Sequence, residues 1–165
     1  MSQDPAPDTR WLSEQEQTAW RSFLRGTWLL NAVLDDDMQE HGHSLSEYEI
    51  LAMLSEALPD GLRMSALADL VVQSRSRLSH TALRLERRKL VRRRPTPGDG
   101  RGVELSLTPA GLEVVERLAP AHVASVRAHL IDVLTPVQLA ELGHAMAVVR
   151  AAILDLDPDD PTPIG

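Results

Sequence analysis

Between Ser74 and Arg84 the chain places Arg75, Ser76, Arg77, Ser79, His80 and Arg84 around three apolar residues, Leu78, Ala82 and Leu85. The apolar three share one stripe of a helix that Ser74 can cap, which leaves the cations and hydroxyls for the other faces. Guanidinium forks match phosphate oxygens and the major-groove edge of guanine, and short hydroxyls reach phosphate or base edges. Arg75, Ser76, Arg77, Ser79 and His80 are therefore candidates for base edges or adjacent phosphates, with Arg84 as a clamp on a polyanion backbone. For Ser74, capping and a DNA contact stand side by side.

Charge is concentrated in the same region. Residues 63–104 carry eleven Arg/Lys against four acids, a local +7 in a chain of net −7, so the remainder sums to −14. Such a bipolar field suits docking of one face on DNA while the rest stays solvated.

Other chemistries lack support. The chain has no cysteine, which removes disulfides, thiolate zinc sites and thiol redox sensing. Glu40-His41-Gly42-His43 has donor types for zinc but no closed-site spacing, and no cofactor or metal is expected. Phosphate-binding Gly-rich loops, the zinc-protease helix motif and a nucleophile elbow are missing, so an enzyme is not expected. No signal-peptide core and no membrane-length apolar run stand out, which predicts a soluble, cytoplasmic protein.

The elements that must position these residues are legible in capping and turn signals. Ser13 with Glu16 and Ser46 with Glu49 fit capping boxes, opening a long helix to about Glu40 and a shorter one to about Ala57. Asp35-Asp36-Asp37 and Gly42 are expected to end the first, leaving His41–Ser44 as a loop. Pro59-Asp60-Gly61 predicts a turn, followed by a short strand at Leu62-Arg63 and a helix over 65–71 with Leu67, Leu70 and Val71 inward. Val72-Gln73 is the tight turn before the arginine-rich helix. Two strands, 90–94 and 103–107, flank the Gly/Pro tip 95–102. Thr108-Pro109 and Thr135-Pro136, the latter with Gln138, open two long helices, the first interrupted near 116–120 by Pro120. Residues 1–12 and 155–165 are Pro/Asp-rich, an expected flexible arm and a disordered acidic tail. The predicted class is mainly α with a small β part (α+β), a winged helix-turn-helix with long N- and C-terminal helices.

This order, with Asp99-Gly100-Arg101-Gly102-Val103-Glu104-Leu105-Ser106-Leu107-Thr108, resembles the MarR family of bacterial transcription regulators over roughly residues 13–154. The resemblance implies a DNA-binding lobe at 45–108, dimerisation helices at 13–44 and 109–154, and a homodimer on a pseudo-palindromic operator. It further implies repression relieved by a small ligand. Arg101 at the wing tip is expected in the minor groove with Asp99 orienting it, and Arg94 lies on the strand leading there. A ligand pocket is implied near Trp20, Arg21, Arg25, Trp28 and Tyr48, suited to a planar aromatic acid; the same aromatics also fit a dimer core. Lys89 departs from the family, whose members commonly have Gly before this strand, so either strain or a different helix end is expected. A winged-helix module for a protein partner or for non-specific nucleoid binding is the alternative.

Overall fold

A computed structural model describes residues 9–71, 74–96 and 102–154, and the chain divides into two compact units between Val33 and Leu34. Helix α1 (Glu14–Glu40) supplies most of the first unit. Its start is the expected box: the Ser13 amide donates to Glu16 at 2.7 Å, and the Glu16 amide donates to Ser13 Oγ at 3.3 Å. The Ser13 amide first, and then the Ser13 side chain, hold the exposed Glu16 carboxyl below its ordinary pKa. Trp20 and Phe23 stack at 6.2 Å between centroids, and with Leu24, Trp28 and Leu29 they are solvent-exposed.

The second unit continues through α2 (Leu45–Glu56), β1 (Leu62–Arg63), α3 (Met64–Leu70), α4 (Arg75–Arg87), β2 (Val91–Pro95) and β3 (Val103–Leu107). It ends with α5 (Pro109–Val126), a π-helical turn at Arg127–Ile131, and α6 (Pro136–Leu154). The sheet is antiparallel in the order β1-β3-β2, pairing Leu62 and Arg93 with Leu105, and Arg63 and Arg94 with Glu104. Met38, Ile50, Leu51, Leu54, Leu67, Leu78, Leu85, Leu105 and Leu118 are fully buried in one core. Helices α2 to α5 and the sheet thus share a hydrophobic centre, and α4 is bolted to it by Leu78, Ala82 and Leu85 as the periodicity predicts.

Several expectations change. The box at the start of α2 is Ser44 with Glu47, not Ser46 with Glu49: Ser44 has extended φ/ψ and accepts from the Glu47 amide, and the Glu47 carboxylate accepts from the Ser44 amide. Ser46 falls inside the first turn. Helix α1 ends at Glu40 just before Gly42, as expected, but two carboxylates of the acidic triplet are engaged elsewhere. Asp35 accepts from the Leu45 amide at 2.7 Å, and Asp37 accepts from the Ser125 hydroxyl. In α3, Leu67 and Ala68 face inward while Leu70 is exposed. Helix α5 runs through Pro120, and the departure from α geometry comes at Arg127–Ile131. Helix α6 is apolar and long enough to cross a membrane by length and composition, and little of it is buried. Glu141, His144 and Arg150 interrupt it in sequence without lowering its mean hydropathy below that of a span. Val72-Gln73, the wing tip with Asp99 and Arg101, and both termini lie outside the described residues.

Lys89 keeps the left-handed cap, with φ 61°. The Lys89 amide donates to Glu86 O at 2.8 Å and the Leu90 amide to Leu85 O at 3.0 Å, closing both bonds of a Schellman end. A Cβ in this conformation costs roughly 1–2 kcal/mol, and the extra unfolded-state freedom of glycine offsets part of that. Lys89→Gly is expected to gain up to about 1 kcal/mol, a rise of about 2–4 °C in Tm. An unchanged or lower melting temperature would count against strain at this residue.

Candidate nucleic-acid interface

Helix α4 starts from Ser74, whose extended backbone and hydroxyl accept the Arg77 amide at 3.3 Å. Its buried residues, Leu78, Thr81, Ala82 and Leu85, fix how it rotates against the core. At 100° per residue the opposite stripe is Ser76, His80, Leu83 and Arg87, spaced i, i+4, i+7, i+11. Arg75, Ser79 and Glu86 flank it on the wing side, and the Glu86 carboxylate accepts from the Arg93 amide at 3.4 Å. Arg77, Arg84 and Arg88 flank it on the α2 side.

Of the residues named from sequence, Ser76 and His80 stand outermost and exposed. Arg75 and Ser79 turn toward the wing, and Arg77 lies near Glu49 of α2. Arg94 is exposed on β2 beside Glu104. Arg84 is engaged within the protein: its Nε lies 3.4 Å from Glu47 Oε1, and its Nη2 is 3.4 Å from Thr81 Oγ1. Arg87, on the outer stripe, and Arg93 were not singled out from sequence, although the spacing from Ser76 and His80 would have located Arg87.

The α2 flank is a charged network under the helix. Glu47, 7% exposed, accepts from Arg88 Nη1 at 3.1 Å. Arg88 Nη2 also lies 3.1 Å from Nε2 of the buried His43 and donates to Gly42 O at 3.4 Å. A guanidinium only donates, so His43 Nε2 accepts and the ring is neutral, with its proton on Nδ1, 3.6 Å from Glu47 Oε2. Glu47 thereby orients α4 through two arginines.

Burial, then Arg88, pull the His43 pKa below its ordinary value, outweighing Glu47, with Arg117 adding in the same direction. Burial likewise lowers His122, whose ring lies 4.5 Å from that of Tyr48. A folded-state pKa below the unfolded one gives stability that is complete above about pH 6.5 and lost as pH falls through the depressed value. Glu49, raised by burial against the opposing pull of Arg77, works with the opposite sign at lower pH. Urea midpoints at about pH 7.5 and about pH 5.5 are thus expected to show a loss in acid that is smaller in His43→Gln. Equal losses in the two proteins would remove His43 from the pH dependence.

Tyr48 is buried, and burial raises its pKa. It belongs to the second unit, whereas Trp20, Arg21, Arg25 and Trp28 are exposed on the part of α1 in the first.

Comparison with known proteins agrees with this geometry. Residues 41–102 match the family model described as MarR family. AbsC, a MarR family transcriptional regulator from Streptomyces coelicolor, is 46% identical over 89% of this chain and 99% of its own, with a TM-score of 0.82. Sco3205 from the same organism, a MarR family regulator whose structure is a complex with DNA, is 41% identical over 89% of this chain and 92% of its own, also at 0.82. The HTH-type transcriptional regulator PecS of Dickeya dadantii is 29% identical over 129 residues, 78% of this chain and 75% of PecS. With its winged helix, its capped reading helix and similarity along most of its length, this chain belongs to the MarR family of transcriptional regulators.

Proposed function

We propose that the chain is a cytoplasmic, homodimeric repressor that binds a pseudo-palindromic operator through α4 and the wing and is released by a small ligand. The observation that carries DNA reading is the outer stripe of α4, where Ser76, His80 and Arg87 stand exposed with no acid among them. Arg75 and Ser79 extend that surface toward the wing, Arg101 with Asp99 is assigned to the minor groove, and Arg94 to the backbone. Arg77 and Ser74 sit at the helix start, where groove-reading helices meet base edges. Arg84 is assigned to phosphate only secondarily, since it already serves Glu47. Sco3205, captured with DNA, supports the partner class.

Band-shift titration against the intergenic DNA beside its own gene tests this. Operator binding is expected to exceed random-DNA binding by about a thousandfold or more at physiological salt. A ratio near one would leave only a non-specific nucleoid protein or a protein-interaction module.

Dimerisation is carried by α6 and the segment before it, where Val133, Val137, Leu142, Met146, Val149 and Ile153 are all exposed. Leu142, Met146, Val149 and Ile153 share one face of α6 at i, i+4, i+7 and i+11, and a second copy on a two-fold axis covers exposed apolar surface of this kind symmetrically. Light scattering at micromolar concentration is expected to give twice the 18.2 kDa chain mass; a monomer mass would sink the dimer.

The ligand part rests on the family resemblance, with a planar aromatic acid as the assigned class. Coupling of about 2 kcal/mol, tens-fold in affinity, would suffice for release, and operator DNA would weaken ligand binding equally. Tryptophan fluorescence titration with phenolic acids, with and without operator, measures both directions; equal ligand affinity in the two states would rule the ligand out as the switch.

A further inference from the structure

A depression of about 350 Å³ opens between α4 and the base of the wing, lined among others by Arg63, Ser65, Arg75, Ser79, Arg93 and Gly102. At roughly 30 Å³ per water it has room for on the order of ten waters, enough for a phosphodiester group. No acidic side chain lines it among the described residues.

Arg93 is the unusual member. Along β2 burial alternates, Val91 buried, Arg92 exposed, Arg93 half-buried, Arg94 exposed, so Arg93 occupies an inward position. Its cross-strand neighbour is the fully buried Leu105. Inward strand positions ordinarily hold apolar side chains, and a partly desolvated guanidinium calls for an anion. Among the described residues its side chain has no ion pair; only its backbone amide is engaged, with Glu86. Arg75 and the Ser79 hydroxyl face the same space from α4, and Ser65 from α3.

We propose that this depression is a seat for one phosphate of the DNA backbone, gripped by Arg93 and Arg75 with Ser79 and Ser65 as hydroxyl donors. The proposal rests on the DNA-binding reading above and adds the wing base to it. A phosphate held there fixes how deeply α4 enters the groove, since the seat is built from the reading helix and the wing strand together. It carries no base information.

Fluorescence anisotropy of a labelled operator and of random DNA tests it. Arg93→Gln and, separately, the exposed Arg75→Gln are expected to weaken both duplexes by the same factor, about tenfold, as loss of a charged hydrogen bond does. The log–log salt slope becomes shallower by about 0.9 per seat. Arg127→Gln on the π-helical turn, the same charge change outside the depression, leaves the slope unaltered. In a series of operators each carrying one neutral methylphosphonate, one position per half-site is expected to weaken the wild type and to add nothing in Arg93→Gln. If wild type prefers its operator while Arg93→Gln keeps wild-type affinity and slope, the seat is wrong and the DNA-binding reading stands. Losses that add at every methylphosphonate position overturn the seat as well, as does Arg93-dependent binding of inorganic phosphate without any masking position. A wild-type chain that binds no DNA overturns both.

Discussion

Gly111→Ala is expected to lose about 3 kcal/mol or more of stability. An added Cβ at this first turn of α5 would lie 2.1 Å from Leu90 O and 2.7 Å from Leu107 Cδ1. Neither can withdraw freely. Leu90 O already accepts from the Thr108 amide at 3.1 Å and from the Thr108 hydroxyl at 3.0 Å, and Leu107 ends the strand that pairs with β2. The Gly111 amide in turn donates to Thr108 Oγ1 at 3.0 Å, completing the cap of α5. Overpacking of a tight core site costs typically 1–3 kcal/mol, and a backbone carbonyl as the obstacle puts this site at the upper end or beyond. For a chain of this size that is a fall of roughly 10 °C in Tm, a large share of the about 5–15 kcal/mol that holds a domain folded. A loss below about 1 kcal/mol would show that α5 can slide away from the wing base.

Glu47→Ala is expected to cost about 2 kcal/mol and to weaken operator binding although Glu47 does not face DNA. The change removes the contacts to Arg88 at 3.1 Å and Arg84 at 3.4 Å and half of the α2 capping box. Breaking a fully buried pair costs about 3–5 kcal/mol; the Arg84 and Arg88 side chains are 56% and 43% exposed, so both retain water and the figure is discounted. Arg88 is left with His43 and the Gly42 carbonyl as neighbours, and α4 loses a polar tether that supports the orientation set by its apolar contacts. Glu47→Gln keeps an acceptor for Arg88 and for the Ser44 amide and is expected to recover much of the stability. Urea titration with operator anisotropy on both variants reads the two effects. Wild-type operator affinity in folded Glu47→Ala would show that the apolar contacts of α4 alone orient it.

Local signals in the sequence were enough wherever neighbours within a few residues decide the outcome. Ser13 with Glu16, Ser74, Thr108-Pro109 and Thr135 with Gln138 all cap as their spacing predicts, because a cap is a bond between a side chain and a backbone group about three residues away. The inward stripe of α4 and the hairpin β2–β3 were likewise determined by period and turn chemistry, and with them the winged-helix class.

Tertiary structure decided the rest. Two Ser-x-x-Glu boxes two residues apart competed at the start of α2, and the choice of Ser44 with Glu47 follows from partners far along the chain. Arg88 reaches back 41 residues to Glu47, and Asp35 takes the Leu45 amide. Other long-range contacts drew Arg84 toward Glu47 and turned Asp37 to Ser125. Arg93 shows the limit most plainly. Its place in a basic strand is visible in sequence, but its inward position opposite Leu105, facing a depression shared with Arg75, depends on strand register and on how α4 packs over the sheet. Charges and hydroxyls far apart in the chain have no period to reveal them; only the packed core fixes which of them meet.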